Sequence, residues 1–150
     1  KNFIKMKIYS KLKFFHPELN ANSSFPFFLT SVQAGFPSPA DNPIEEKLDL
    51  HQLLVKNPAS TFFVQVEGNS MKNANIQDGD ILVIDKALPP QNGKIVLAVL
   101  NNEFTVKRIQ IEGEKIFLLP ENPLFPKIEI TALIDFHIWG VVSYIIHKAK

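Results

Sequence analysis

From residue 61 onward, short apolar runs alternate with turn-forming residues, and the runs predict strands. Thr61-Phe62-Phe63-Val64-Gln65-Val66 is rich in aromatic and β-branched side chains, which suit a pleated, half-buried surface. Gly68 ends that run, and Asp78-Gly79-Asp80 forms a turn into a second strand, Ile81–Asp85. Ile95–Leu100 is continuously apolar, as in a strand buried on both faces. Asn101-Asn102 is a hairpin turn leading into Glu103–Ile109. After the Glu112-Gly113-Glu114 turn come Lys115–Leu119, Ile128–Ile130 and Ile138–Ile146. Strands at this spacing predict an all-β body.

The chain before this region reads differently. Leu48, Leu50, Leu53 and Leu54 predict a short helix or turn within Ile44–Leu54, with Asp49 as a possible N-cap. Residues 1–43 show little periodicity and many prolines, and are expected to form an extended arm ahead of a domain spanning 44–150. Within it, Phe27, Phe28 and Leu29 need a surface to cover them.

Charge sharpens that division. Residues 1–34 carry five lysines against Glu18, a net of +4, which leaves −3 for the rest of a chain whose total is +1. Such a balance carries no general footprint for nucleic acid, so direct sequence-specific DNA binding is not expected. The 150 residues are 45% hydrophobic, enough for one real core. With no cysteine there is no disulfide framework, thiolate metal site or cysteine nucleophile, which fits a reducing, cytoplasmic setting. No stretch reaches the ~20 apolar residues of a membrane helix, so no membrane attachment is expected.

Candidate chemistry is sparse. Ser70 follows a predicted strand within Gly68-Asn69-Ser70-Met71, where a sharp turn would expose its hydroxyl and leave backbone N–H groups for an oxyanion. The same residues also make an ordinary turn. A serine needs a base, and none of His16, His51, His137 and His147 has an Asp or Glu at motif spacing. Lys107, inside the apolar strand Phe104–Ile109, would serve if burial kept it neutral, although most strand lysines face water. Metal-ligand spacings and a phosphate-binding glycine loop are missing, so no cofactor or metal is expected. Asp78-Gly79-Asp80 matches only a fragment of a calcium loop.

Taken in order, several segments resemble the LexA/UmuD family of self-cleaving Ser-Lys peptidases. They are Gly68-Asn69-Ser70-Met71, Ile76-Gln77-Asp78-Gly79-Asp80, Gly93-Lys94-Ile95-Val96, Phe104-Thr105-Val106-Lys107-Arg108, Leu119-Pro120-Glu121-Asn122 and Gly140-Val141-Val142. The interval of 37 residues from Ser70 to Lys107 is similar to the family's. The resemblance implies a mainly β fold, in which curled antiparallel sheets form a partly open barrel with an extended N-terminal arm. It also implies Ser70 as nucleophile, Lys107 as base, and the N–H groups of Ser70 and Asn69 as oxyanion donors.

Ala34-Gly35-Phe36-Pro37-Ser38-Pro39-Ala40 resembles the cleavage segment of the short-armed, UmuD-like members, which makes Ala34-Gly35 the expected scissile bond. The best-known of those members have Cys where this chain has Ala34, but Ala-Gly is the usual pair elsewhere in the family. No helix-turn-helix pattern precedes that bond, which sets the chain apart from LexA and phage repressors. For such members the resemblance implies homodimers, self-cleavage stimulated by a RecA–DNA filament, and a shortened form that joins a UmuC-type polymerase in error-prone synthesis during the SOS response. Two other readings are the peptidase domain of a repressor and a non-cleaving module of the same fold. Signal peptidases also pair Ser with Lys, but they carry a membrane anchor.

Overall fold

The computed structural model describes residues 12–15, 24–28 and 45–150, with side chains from Lys47 onward. They divide into two compact units, one holding residues 12–15 and 57–150 and the other residues 24–28 and 45–56. In the larger unit the strands are β1 (Leu12–Phe15), β4 (Thr61–Val66), β5 (Ile81–Asp85), β6 (Ile95–Leu100), β7 (Glu103–Glu112), β8 (Lys115–Leu119), β9 (Ile128–Ile130) and β10 (Phe136–Ile146). They form one antiparallel sheet in the order β1-β4-β5-β10-β6-β7-β8-β9, which does not close on itself. The mainly β, antiparallel class expected from the sequence is the one observed.

The smaller unit pairs β2 (Ser24–Phe28) with β3 (Glu45–Asp49), which runs directly into the helix α1 (Leu50–Leu54). Asp49 caps that helix as expected, its side chain accepting from the Gln52 N–H at 3.2 Å. The helix is confined to 50–54, because the residues before it are taken up by pairing with β2. Among the described residues no helix is long and apolar enough to cross a membrane.

Every strand from β4 to β10 lies where the apolar runs placed it, with two extensions. β7 continues to Glu112, because Gln110 and Ile111 pair with Phe117 and Ile116 of β8. β10 starts at Phe136, paired with Leu100. Strands β1, β2 and β3 were not foreseen; β1 is a short segment whose place depends on pairing with β4. Asn101 and Asn102 both take positive φ, 46° and 66°, the backbone of a tight two-residue hairpin turn.

The irregular strand is β10. Its register shifts between Ile138 and Gly140 against β6, and between Val142 and Tyr144 against β5. Bulges of this kind bend and twist a strand. Gly140 permits the bend, since a Cβ there would lie 2.5 Å from Ile84 Cγ2 and 3.2 Å from the Asp85 carbonyl oxygen. At the end of β5, Asp85 accepts from Asn57 Nδ2, Ser60 Oγ and the Ala87 N–H, which anchors the turn leading into β4. Burial pushes the Asp85 carboxyl up, but the hydrogen bonds outweigh it and the net shift is downward.

Alternation along the central strands separates two apolar clusters. Phe62, Val64, Val66, Met71, Ile76, Leu82, Ile84, Leu97 and Val106 form one. Val96, Ala98, Ile109, Leu118 and Val141 form the other. Leu97 joins the first while its neighbours Val96 and Ala98 join the second, as the period of two requires. Lys107 lies in β7 opposite Val96, and Val96 lies opposite Val141 of β10. A lysine is therefore placed in register with the second apolar cluster.

Candidate active site

Ser70 sits in the loop from β4 to β5, and that loop is closed at its base. The Gly79 N–H donates to the Val66 carbonyl at 2.7 Å, and the Val66 N–H donates to the Asp80 carbonyl at 2.8 Å. Gly68 turns the chain with φ 102°, a conformation open to glycine, and its N–H donates to Asp78 Oδ1 at 2.7 Å. Met71 and Ile76 are buried in the first cluster and pin the loop from below. The Asp78-Gly79-Asp80 segment is thus a turn whose carboxylates serve the backbone, with Asp80 Oδ2 accepting from the Gln77 N–H at 2.8 Å.

A second loop, between β8 and β9, holds Ser70 from the other side. The Glu121 N–H donates to the Ser70 carbonyl at 2.9 Å, and the Asn73 N–H donates to the Glu121 carbonyl at 2.7 Å. Asn122 Nδ2 donates to the Asn69 carbonyl at 2.8 Å. The Glu121 side chain pairs with Arg108, which also donates to the Gly93 carbonyl at 2.6 Å. Arg108 is next to Lys107 in β7, so successive side chains point to opposite faces.

Fold and register bring Ser70 and Lys107 together. Lys107 Nζ lies 3.3 Å from Ser70 Oγ, and each residue is only 1% exposed. Nζ also lies 2.7 Å from Thr105 Oγ1 and 3.1 Å from the Val106 carbonyl oxygen. Burial pushes the Lys107 ammonium down from 10.5 to about 8. At neutral pH roughly a tenth of such lysines are neutral, against ~0.03% of ordinary ones.

The three contacts of Nζ serve either charge state of the amine. An ammonium can donate to all three oxygens, while a neutral amine can donate to Thr105 Oγ1 and the Val106 carbonyl and accept from the Ser70 hydroxyl, as a base must.

Sequence reading had assigned no role to Thr105 or Asn122. Thr105 was legible in principle, since two residues before Lys107 in a strand it must share its face. Asn122 carried no such signal, because its partner lies 53 residues away. Two of the histidines have carboxylate partners in the fold, His147 with Asp80 at 2.6 Å and His137 with Asp135 at 3.1 Å. Asp80 meets His147 across 67 residues, a pairing spacing does not reveal. Ala34 and Gly35 lie outside the described residues, as does His16. Trp139 is 39% exposed, in edge-to-face contact with Phe104 at 4.8 Å and beneath Lys86 Nζ at 4.5 Å, whereas Phe136 packs on the second cluster.

The family model described as Peptidase S24-like matches residues 26–143. The chain is 45% identical over 128 residues to Protein SamA of Salmonella typhimurium, covering 85% of this chain and 89% of that protein. It is 43% identical over 122 residues to Protein MucA of Escherichia coli, covering 81% and 83%. It is 41% identical over 99 residues to the LexA repressor of Hahella chejuensis, covering 66% and 49%. A family match that includes the loop carrying Ser70, the strand carrying Lys107 and the loop that clamps them leads to one conclusion: this chain belongs to the Peptidase S24-like family.

Proposed function

We propose that the protein is a self-cleaving serine endopeptidase of the UmuD kind, which uses Ser70 and Lys107 to cut its own arm at Ala34-Gly35. The observation that carries this reading is the 3.3 Å approach of Lys107 Nζ to Ser70 Oγ with both groups buried. Neutral Lys107 takes the hydroxyl proton as Ser70 Oγ bonds to the Ala34 carbonyl carbon. The oxyanion that forms is met by the Ser70 N–H, with that of Asn69 beside it. Protonated Lys107 then gives its proton to the Gly35 nitrogen as the Ala34–Gly35 bond breaks, leaving Ala34 as an ester on Ser70. Water, deprotonated by the same amine, attacks the ester carbon, and the amine returns that proton to Ser70 Oγ as the ester bond breaks.

A neutral base in a dry site suits a slow, regulated cut. At neutral pH most Lys107 side chains hold a proton, and the reaction also waits for the arm (residues 1–43) to dock. In this reading a RecA–DNA filament shifts that balance, the protein works as a homodimer, and residues 35–150 join a UmuC-type polymerase in error-prone synthesis after DNA damage. Removing residues 1–34 takes the net charge from +1 to −3, a change any charged partner surface would sense.

Mass spectrometry after incubation of the purified chain at about pH 9 tests the bond. The expected outcome is a product that begins at Gly35. A chain that stays whole, or one cut elsewhere, would count against the reading.

A further inference from the structure

We propose that Asn122 is a positioning residue for the oxyanion site, acting through the peptide unit between Asn69 and Ser70. The inference rests on the reading above, in which Ser70 is the nucleophile and its N–H meets the oxyanion.

A trans peptide unit is rigid and planar, and its C=O and N–H point in opposite directions. Whatever holds the Asn69 carbonyl therefore aims the Ser70 N–H. Two donors hold it, Asn122 Nδ2 at 2.8 Å and the Lys72 N–H at 3.2 Å. The Lys72 bond is local and belongs to the turn that follows. The Asn122 bond comes from the loop between β8 and β9, and it ties the nucleophile loop to a separate part of the sheet.

Asn122 is itself fixed. It is 8% exposed, its Oδ1 accepts from the Leu124 N–H at 3.0 Å, and its carbonyl accepts from the Phe125 N–H at 3.1 Å. Those bonds also settle which way its amide faces, since only the oxygen can accept from Leu124 and only the nitrogen can donate to Asn69. The residue before it grips Ser70 through the Glu121 N–H, so the same loop holds both ends of the Ser70 backbone. An amide is the group this place requires: it must accept on one side and donate on the other. A carboxylate would keep the first bond and set a negative charge against the Asn69 carbonyl on the other.

Oxyanion donors act best when aimed before the reaction begins. Losing the aim lowers transition-state stabilisation without touching the proton transfer between Ser70 and Lys107. The two effects separate in a pH profile, where Lys107 sets the midpoint and the oxyanion site sets the plateau.

The test measures the first-order self-cleavage rate from about pH 6 to 10 for the wild-type chain, Ser70→Ala, Asn122→Asp and Asn122→Ala, with thermal melts of each. Asn122→Asp is nearly isosteric but exchanges the donor for a negative charge, and Asn122→Ala removes the donor without adding one. The expected result is a plateau lowered roughly tenfold to hundredfold in both Asn122 variants, with the midpoint unmoved in Asn122→Ala. Full plateau rates in both would overturn the role of Asn122, and so would a lowered plateau with a shifted midpoint in Asn122→Ala, which would mark a collapsed Ser70–Lys107 pair. A wild-type chain that does not cleave would overturn the peptidase reading instead.

Discussion

Replacing Lys107 by Met, or Ser70 by Ala, is expected to stop self-cleavage outright, with a fall of at least roughly 10⁴-fold. Met is a close match to the lysine stem in volume, so the second apolar cluster stays filled. What it removes is the amine that lies 3.3 Å from Ser70 Oγ. Without it the serine keeps its proton, and a neutral hydroxyl is a poor nucleophile toward an amide. Ser70→Ala keeps the base and removes the attacking atom. The double variant should be no worse than either single one, because the two groups act as a unit. Gel or mass analysis after long incubation at about pH 9 checks all three. Cleavage that survives in either single variant would remove that residue from the mechanism.

The same Lys107→Met change is expected to make the folded chain more stable at neutral pH. Burial lowers the lysine from 10.5 to about 8, so holding its charge inside the fold costs about 3 kcal/mol. Below about pH 8 both folded and unfolded chains carry the proton, and the cost is present in full. Between about pH 8 and 10.5 the folded chain has released the proton while the unfolded chain still binds it, so stability rises with pH. Above that window the cost is gone. Met carries no charge at any pH. It forfeits the bonds to Ser70, Thr105 and the Val106 carbonyl, worth about 0.5–1 kcal/mol each, so the net gain at neutral pH is about 1 kcal/mol or less. Urea midpoints of the two proteins at about pH 7 and pH 10.5 test this. The advantage of the variant should vanish or reverse at the higher pH. An advantage that persists unchanged there would mean that a buried charge is not what it relieves.

A lysine whose burial costs the fold stability shows why Lys107 was hard to weigh from sequence. Strand β7 was plain from Phe104, Val106 and Ile109, and so was the position of Lys107 within it. Whether a strand lysine faces water or the core depends on which strands flank it. Here β7 is flanked by its hairpin neighbours β6 and β8, and the Ser70 loop that meets Lys107 comes from 37 residues earlier, a long-range contact no local pattern encodes. Ser70 was ambiguous for a related reason. Gly68 announced a turn, but the clamp from Glu121 and Asn122 comes from a loop some fifty residues later. The order of several short motifs carried what none of them carried alone.

The regular strands were the most legible part, because the apolar runs of β4, β5 and β6 are long and end at Gly or Asn turns. Less legible were places where pairing overrides composition. Gln110 and Glu112 lie in a strand because β8 lies opposite. Leu12–Phe15 lies in one because β4 does. The two bulges of β10 left a single trace in the sequence, Gly140, whose meaning is clear only once Ile84 is seen against it. Asp80 and His147 likewise meet only through the fold.

Of all the measurements, the rate of self-cleavage against pH bears most directly on the pairing of Ser70 with Lys107. The account predicts a rate that rises about tenfold per pH unit below a midpoint near 8 and levels off above it, as the buried amine loses its proton. A rate that is flat from about pH 6 to pH 10 in a protein that remains folded would contradict it.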